Sequence, residues 1–406
     1  MDDTRDERLT RRGTLGLLGG AAGALVLPAG RASAQADEVR IGASFSLTGG
    51  LAAFFPAIVD AANLAVRHVN QNGAVLNGRQ LRLVTVDDQT NPQVAVEAVT
   101  RLVNVENVVA MLGPYGSGTT LAVANSVTAR AGIVQISPSA TSPRLTTFRR
   151  DVQLPQGQDR DWLFRTTVSD AFAGTVLARV THGRGIRRAA VFFINNDYGV
   201  GLSETFRAEF GRLGGTVTGN ASFEPGRASY RSELSSIAGG NPEALVLIAY
   251  PGNGGITILR QSLENAFFRR FVLTDGMRDN AVLTEVGARN LEGSFGLVPQ
   301  APRDTDSNRR FEDAFRAAFP QRALDALFIR ETYDSVMMLA LAVERARGTG
   351  RAAVRDALRQ IATRPGETIL PNEWAKAKQA LGAGQDIDYL GAAGHHEFDE
   401  NGDVQG

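Results

Sequence analysis

From Val39 onward, short apolar runs alternate with longer stretches in which apolar residues recur every third or fourth position. The short runs, bounded by turn-forming residues, predict strands at Val39–Ser46, Leu81–Asp87, Val108–Leu112 and Ile133–Ile136. The helical period between them predicts helices from about Pro56 to Asn70, Pro92 to Asn104 and Thr119 to Ala131. Strand and helix in strict alternation imply a parallel sheet covered by helices on both faces.

After an irregular segment rich in Pro, Arg and Thr, Ser137–Asp161, the pattern repeats. The second series predicts strands at Ala189–Ile194, Thr216–Phe223, Ala244–Ala249 and Phe271–Thr274, with a last one at Ser294–Val298. Its helices fall near Ala171–Arg184, Leu202–Leu213, Tyr230–Ala238 and Gly255–Asn265. Three further helical stretches follow, Asn308–Phe319, Ala326–Ala346 and Arg351–Ala362. They need a sheet to pack on, and the first series is one element short of a full layer. The expected organisation is therefore α/β, with two Rossmann-like lobes of parallel sheet joined by several crossovers. Residues 37–166 and 299–362 form lobe 1 and residues 167–298 and 363–406 lobe 2, with a hinge and a cleft between.

Residues 1–34 stand apart from this pattern. Thr10-Arg11-Arg12 precedes an uncharged Gly/Ala/Leu stretch that ends in Ala32-Ser33-Ala34, the order expected of a twin-arginine export signal. The run Gly13–Pro28 falls short of the roughly 20 apolar residues a bilayer span needs. Cleavage after Ala34 or Ala36 would release the mature chain into the periplasm. The charge balances at 43 basic against 43 acidic residues, and the signal takes away five arginines and four acids. No basic field remains to attract nucleic acid. Cysteine is absent, which excludes disulfides, thiol catalysis and Cys-ligated zinc.

Ligands of open parallel sheets gather where strands run into helix N-termini. At one such corner lies Gly113-Pro114-Tyr115-Gly116-Ser117-Gly118-Thr119-Thr120, whose glycines, hydroxyls and helix dipole suit an anion. It lacks the lysine of a phosphate loop, so a small carboxylate is the expected guest. At the next, Ser137-Pro138-Ser139-Ala140-Thr141-Ser142-Pro143, two prolines hold an extended turn that aims Ser139 and Thr141 the same way. In the second series, Asn195-Asn196-Asp197-Tyr198-Gly199 places Tyr198 to cover a ligand, and Asp275-Gly276 puts a carboxylate at a strand end. An acid facing an anion pocket describes a receptor for an α-amino acid. The adjacent His395-His396 precede Glu397 and Asp399, but neighbours on an extended segment point to opposite faces, so no metal site is expected. No Gly-x-Ser-x-Gly and no serine–histidine pairing suggests catalysis.

In this order and spacing the chain resembles the leucine/isoleucine/valine-binding protein family, the type I periplasmic solute-binding components of ABC importers. The resemblance runs from about Val39 to Gly406. It rests on Ser46-Leu47-Thr48-Gly49, Asn77-Gly78-Arg79, Val86-Asp87-Asp88, Leu112-Gly113-Pro114 and Ile136 through Pro143. Phe164-Arg165-Thr166, Asp197-Tyr198-Gly199, Ile258-Leu259-Arg260-Gln261 and Phe398 through Asp403 continue it. It implies the type I periplasmic binding fold and hinge closure on an amino acid or similar small polar ligand. It also implies an inner-membrane ABC permease as partner, a monomer, and no cofactor, metal, nucleic acid or enzymatic activity. The carboxylate binders would fall on Ser117 and Thr141, helped by backbone at Ser139 and Ala140. The ammonium would meet Ser139, Thr141 and Asp275, and Phe54, Tyr115, Tyr198 and Tyr250 would wall the pocket. Three departures bear on the ligand: Pro251 stands where branched-chain binders carry a tyrosine, Tyr250 lies one position earlier, and Asp275 replaces a glutamate. The family usually continues into a final strand where this chain stops at Gly406. The alternative expectation is a ligand-sensing module for amides, urea or aromatic or aliphatic carboxylates.

Overall fold

The computed structural model describes residues 38–404. The export segment expected at residues 1–34 lies outside the described residues. Lobe 1 is built on a five-stranded sheet in the order β2-β1-β3-β4-β5: β1 Glu38–Phe45, β2 Gln80–Asp87, β3 Ala110–Leu112, β4 Val134–Ser137 and β5 Leu163–Arg165. All its pairings are parallel. β3 and β4 are buried at every residue, as strands covered on both faces must be. Helices Phe55–Gln71 and Ile329–Arg345 pack on one face, where Ala61, Ala65, Val336 and Leu339 join the core of β1. Pro92–Asn104 and Ser117–Val123 cover the other, around Val99, Met111 and Val123.

Lobe 2 repeats the plan with strand order β10-β9-β8-β6-β7: β6 Arg188–Ile194, β7 Thr216–Phe223, β8 Ala244–Ile248, β9 Phe271–Leu273 and β10 Phe295–Gly296. Its pairings are also parallel, and its core is separate from that of lobe 1. The chain passes from one core to the other at residues 166–169 and returns at residues 297–305, so the helices after Asp306 do pack on lobe 1. Side chains meet across the seam. Ser142 Oγ donates to the Asp197 carbonyl at 2.9 Å, Arg144 pairs with Asp197 at 2.7 Å, and Arg278 pairs with Asp325.

Three features depart from the sequence pattern. The segment read as irregular contains a helix, Pro143–Asp151, and runs into β5. Ser142 caps this helix and Pro143 occupies its first turn, but it buries only Leu145 and Phe148, too few to show a period. The helix expected at Leu202 begins at Asp197, capped by Asn196, because Gly199 and Gly201 hide its first turns.

The third departure corrects a lobe assignment: residues 363–406 were expected in lobe 2. Instead β11 Glu367–Ile369, the helix Trp374–Gly382 and β12 Ile387–Gly391 place Ile369, Trp374 and Tyr389 in the lobe 1 core. Asp334 anchors this segment from the helix Ile329–Arg345. It accepts from Tyr389 Oη, the amides of Ala392 and Ala393, and His396 Nε2, each at 2.8 Å. Among the described residues no helix is long and apolar enough to cross a membrane.

Candidate ligand-binding site

At the C-terminal ends of both sheets the two lobes enclose a pocket of about 30 Å³, lined by Phe54, Tyr115, Ser117, Ser139, Thr141, Tyr198, Tyr250 and Asp275. Eight of the nine residues singled out in the sequence therefore share one pocket. The ninth, Ala140, does not line it. Its side chain is fully buried, its amide donates to Ser137 Oγ and its carbonyl accepts from Arg165, so it serves the loop and not the cavity.

The lobe 1 wall comes from two loops that follow β3 and β4. The helix Ser117–Val123 has no side-chain cap, so the amides of its first turn are placed to meet an anion. Ser117 Oγ accepts from the Ser142 amide at 3.2 Å, which leaves its own hydrogen to donate. Ser139 Oγ has spent its hydrogen on the Tyr115 carbonyl at 2.8 Å, and Thr141 Oγ1 on Asp170 at 2.7 Å. The hydroxyls thus divide by role: Ser117 suits a carboxylate, whereas Ser139 and Thr141 offer lone pairs to an ammonium. Thr141 was expected to bind both groups, and its hydroxyl hydrogen is directed to Asp170.

Lobe 2 supplies the acid. Asp275 follows β9 and accepts from Tyr198 Oη at 2.7 Å, while Thr274 Oγ1 lies 2.8 Å from the same hydroxyl. The rings of Tyr198 and Tyr250 stack 5.4 Å apart at 11°, so Tyr250 faces the pocket despite being one position early. Gly276 permits this fit, because a Cβ there would lie 2.6 Å from the Ala249 carbonyl and 3.0 Å from Tyr198 Oη. Asp275 retains some exposure to the pocket but sits beneath surrounding protein. Its burial pushes its carboxyl up from the usual range, and the Tyr198 hydrogen bond opposes that rise.

Asp275 is not the lone acid that the sequence implied. Asp170, fully buried at the start of the helix Asp170–Gly183, is pushed further up by burial and by the charge of Asp275. Burial therefore pushes both carboxyls up, and each resists a second charge beside it. Sequence reading missed Asp170 because β5, which delivers the chain to it, lay hidden behind the irregular segment. It also missed Leu51, Phe55, Ile58 and Phe328 as lining residues. Phe328 has a left-handed backbone (φ 63°) just ahead of the helix Ile329–Arg345 and reaches the pocket from far along the chain, with no local signal to mark it.

One buried arginine holds the lobe 1 loop in place. Arg165, 1% exposed, donates through Nη1 to the carbonyls of Thr141 and Ser142 at 2.9 and 3.0 Å, and more weakly to Ala140 at 3.4 Å. Its other edge meets Asp403 in a two-point contact at 2.7 Å, and Nη2 also reaches Thr146 Oγ1. The paired histidines do not line this small pocket but do line a larger cavity behind it. His396 turns inward to Asp334, and His395 turns outward to Arg364. Among the described residues no group of three His, Cys, Asp or Glu is placed to hold a metal ion.

Known proteins share this fold. A family model described as periplasmic binding protein matches residues 38–379. Leu/Ile/Val-binding protein homolog 3 of Brucella melitensis is 27% identical over 331 residues, covering 81% of this chain and 85% of the relative. The leucine-, isoleucine-, valine-, threonine-, and alanine-binding protein of Pseudomonas aeruginosa is 26% identical, covering 80% and 83%. Among solved structures, the branched-chain amino acid transporter substrate-binding protein LivJ from Streptococcus pneumoniae, in complex with isoleucine, superposes with a TM-score of 0.71. It shares 25% identity and covers 90% of this chain and 93% of its own. A family model spanning most of the chain, two similar lobes and a shared cleft lead to one conclusion: this chain belongs to the periplasmic binding protein family and is similar to its type I members named for leucine, isoleucine and valine.

Proposed function

We propose that this protein is the substrate-binding component of an ABC importer, closing its lobes on an α-amino acid and presenting the closed form to an inner-membrane permease. One observation carries the reading: Ser117 of lobe 1 and Asp275 of lobe 2 line the same pocket. The ligand carboxylate would take the Ser117 hydroxyl and the first-turn amides of the helix Ser117–Val123. Its ammonium would take Ser139, Thr141 and the Asp275 carboxyl. Because Asp275 and Tyr198 belong to lobe 2, their contacts form only on closure, which couples binding to the change of shape. The relatives named for leucine, isoleucine and valine support an amino-acid ligand, as does isoleucine in the LivJ complex. A simple carboxylate is disfavoured, since it would face Asp275 without a cation. Export by the twin-arginine route and delivery to the periplasm rest on residues 1–34 and on the family.

The deciding experiment is calorimetric titration of the mature protein with a panel of amino acids, repeated on Asp275→Ala. Loss of one partner from a desolvated charge pair costs about 2–5 kcal/mol, or roughly thirtyfold or more in affinity. An amino acid that binds both proteins equally well removes Asp275 from the site and the reading with it.

A further inference from the structure

Behind Thr141 and Asp275 lies a second and far larger cavity, about 380 Å³, at the seam where the chain passes between the lobes. We propose that this hinge cavity is the side-chain compartment of the ligand site, and that the ligand is an α-amino acid with a side chain of aromatic size. The proposal rests on the amino-acid reading above and extends it to substrate class.

Adjacency comes first. Thr141 and Asp275 line both cavities, so a ligand whose ammonium lies against them is separated from the larger space only by these two side chains. Size comes second. With the lobes together, the cleft pocket has room for about one water, too little for a leucine side chain. An apolar cavity of about 150 Å³ is enough to admit benzene, and the hinge cavity exceeds that by more than twofold.

Lining chemistry comes third. Phe172, Val176 and Leu202 of lobe 2 face Val298 and Pro299 of the returning segment. Phe172 is 63% exposed, an aromatic left half bare at the cavity rim where an aromatic guest would cover it. Among the polar groups at its margins, Asp170 and Glu331 are acids, while His395 turns to Arg364 and His396 to Asp334. An apolar side chain therefore suits the Phe172 wall better than an acidic one. A ligand spanning the cavity would touch lobe 2 and the returning segment together and so favour the closed form.

The test uses the full mature protein, titrated calorimetrically with L-phenylalanine, L-leucine, L-alanine and L-glutamate. Phenylalanine is expected to bind at least tenfold more tightly than alanine, with glutamate weaker than phenylalanine and leucine. Two cavity-filling changes on opposite walls, Ala173→Phe and Ala301→Phe, should each cut the phenylalanine-to-alanine affinity ratio at least tenfold. Equal affinity for alanine and phenylalanine in the natural protein overturns the proposal, whether or not either variant folds. An unchanged ratio in a filled variant with native circular dichroism overturns it as well. Absence of binding by any amino acid would instead overturn the function proposed above, so the two failures are told apart.

Discussion

The Arg165–Asp403 pair offers a sharp test of how the binding loop is held. The perturbation is Asp403→Asn, which keeps the shape of the side chain and removes its charge. Arg165 has five N–H donors, and Asp403 receives two of them at 2.7 Å. The asparagine can accept only one, which leaves a charged donor short of a partner at a cost of about 1.5–3 kcal/mol. Loss of the counter-charge adds to this, and breaking a buried ion pair typically costs about 3–5 kcal/mol. The Asp403 side chain is 14% exposed, so water softens the loss toward the lower end, about 3 kcal/mol. The assay is urea unfolding at pH 7 followed by tryptophan fluorescence. The two tryptophans, Trp162 and Trp374, both lie in the lobe 1 core and report on the lobe in question. Amino-acid affinity should also fall, because the carbonyls of Thr141 and Ser142 lose a firmly held guanidinium. A loss below about 1 kcal/mol would show that Arg165 does not depend on Asp403 and would refute the clamp.

Two further outcomes are expected. Burial raises the Glu331 carboxyl to about 7 from 4.5, so the fold keeps it protonated while the unfolded chain ionises. The resulting penalty grows between pH 4.5 and 7 and is constant above. Glu331→Gln should therefore leave stability unchanged below pH 4.5 and raise it by up to about 3 kcal/mol above pH 7. Burial lowers His68 to about 4 from 6.5, so stability there falls as pH drops through that range. The two slopes oppose each other in the natural protein, and the variant should expose the histidine slope. Parallel urea midpoints for both proteins from pH 4 to 8 would contradict this. At the other end of the chain, changing Arg11 and Arg12 together to Lys should leave uncleaved precursor in the cytoplasm on cell fractionation. Normal export would remove the twin-arginine reading.

The alternation of strand and helix, the return of the chain near Pro299 and the corners that carry Ser117, Thr141, Tyr198 and Asp275 were legible in the residues alone. Each depends on local periodicity or on turn formers next to an apolar run, and such signals survive in one dimension. The helix Pro143–Asp151 and strand β5 were not legible, because a helix burying two side chains and a three-residue strand give no pattern to count. The placement of residues 363–398 on lobe 1 was also hidden. A short strand reads the same whichever core receives it, and only the packing of Trp374 and Tyr389 beside the helix Ile329–Arg345 decides the matter.

Sequence by itself determined the class of fold and which corners line the pocket between the lobes, because backbone periodicity and polar residues at strand ends are local properties. Tertiary structure alone decided the division of labour among the hydroxyls, the second acid at Asp170, the reach of Phe328 and the cavity behind the cleft. Those depend on side chains far apart along the chain competing for the same hydrogen bonds and the same space. No local pattern encodes that competition.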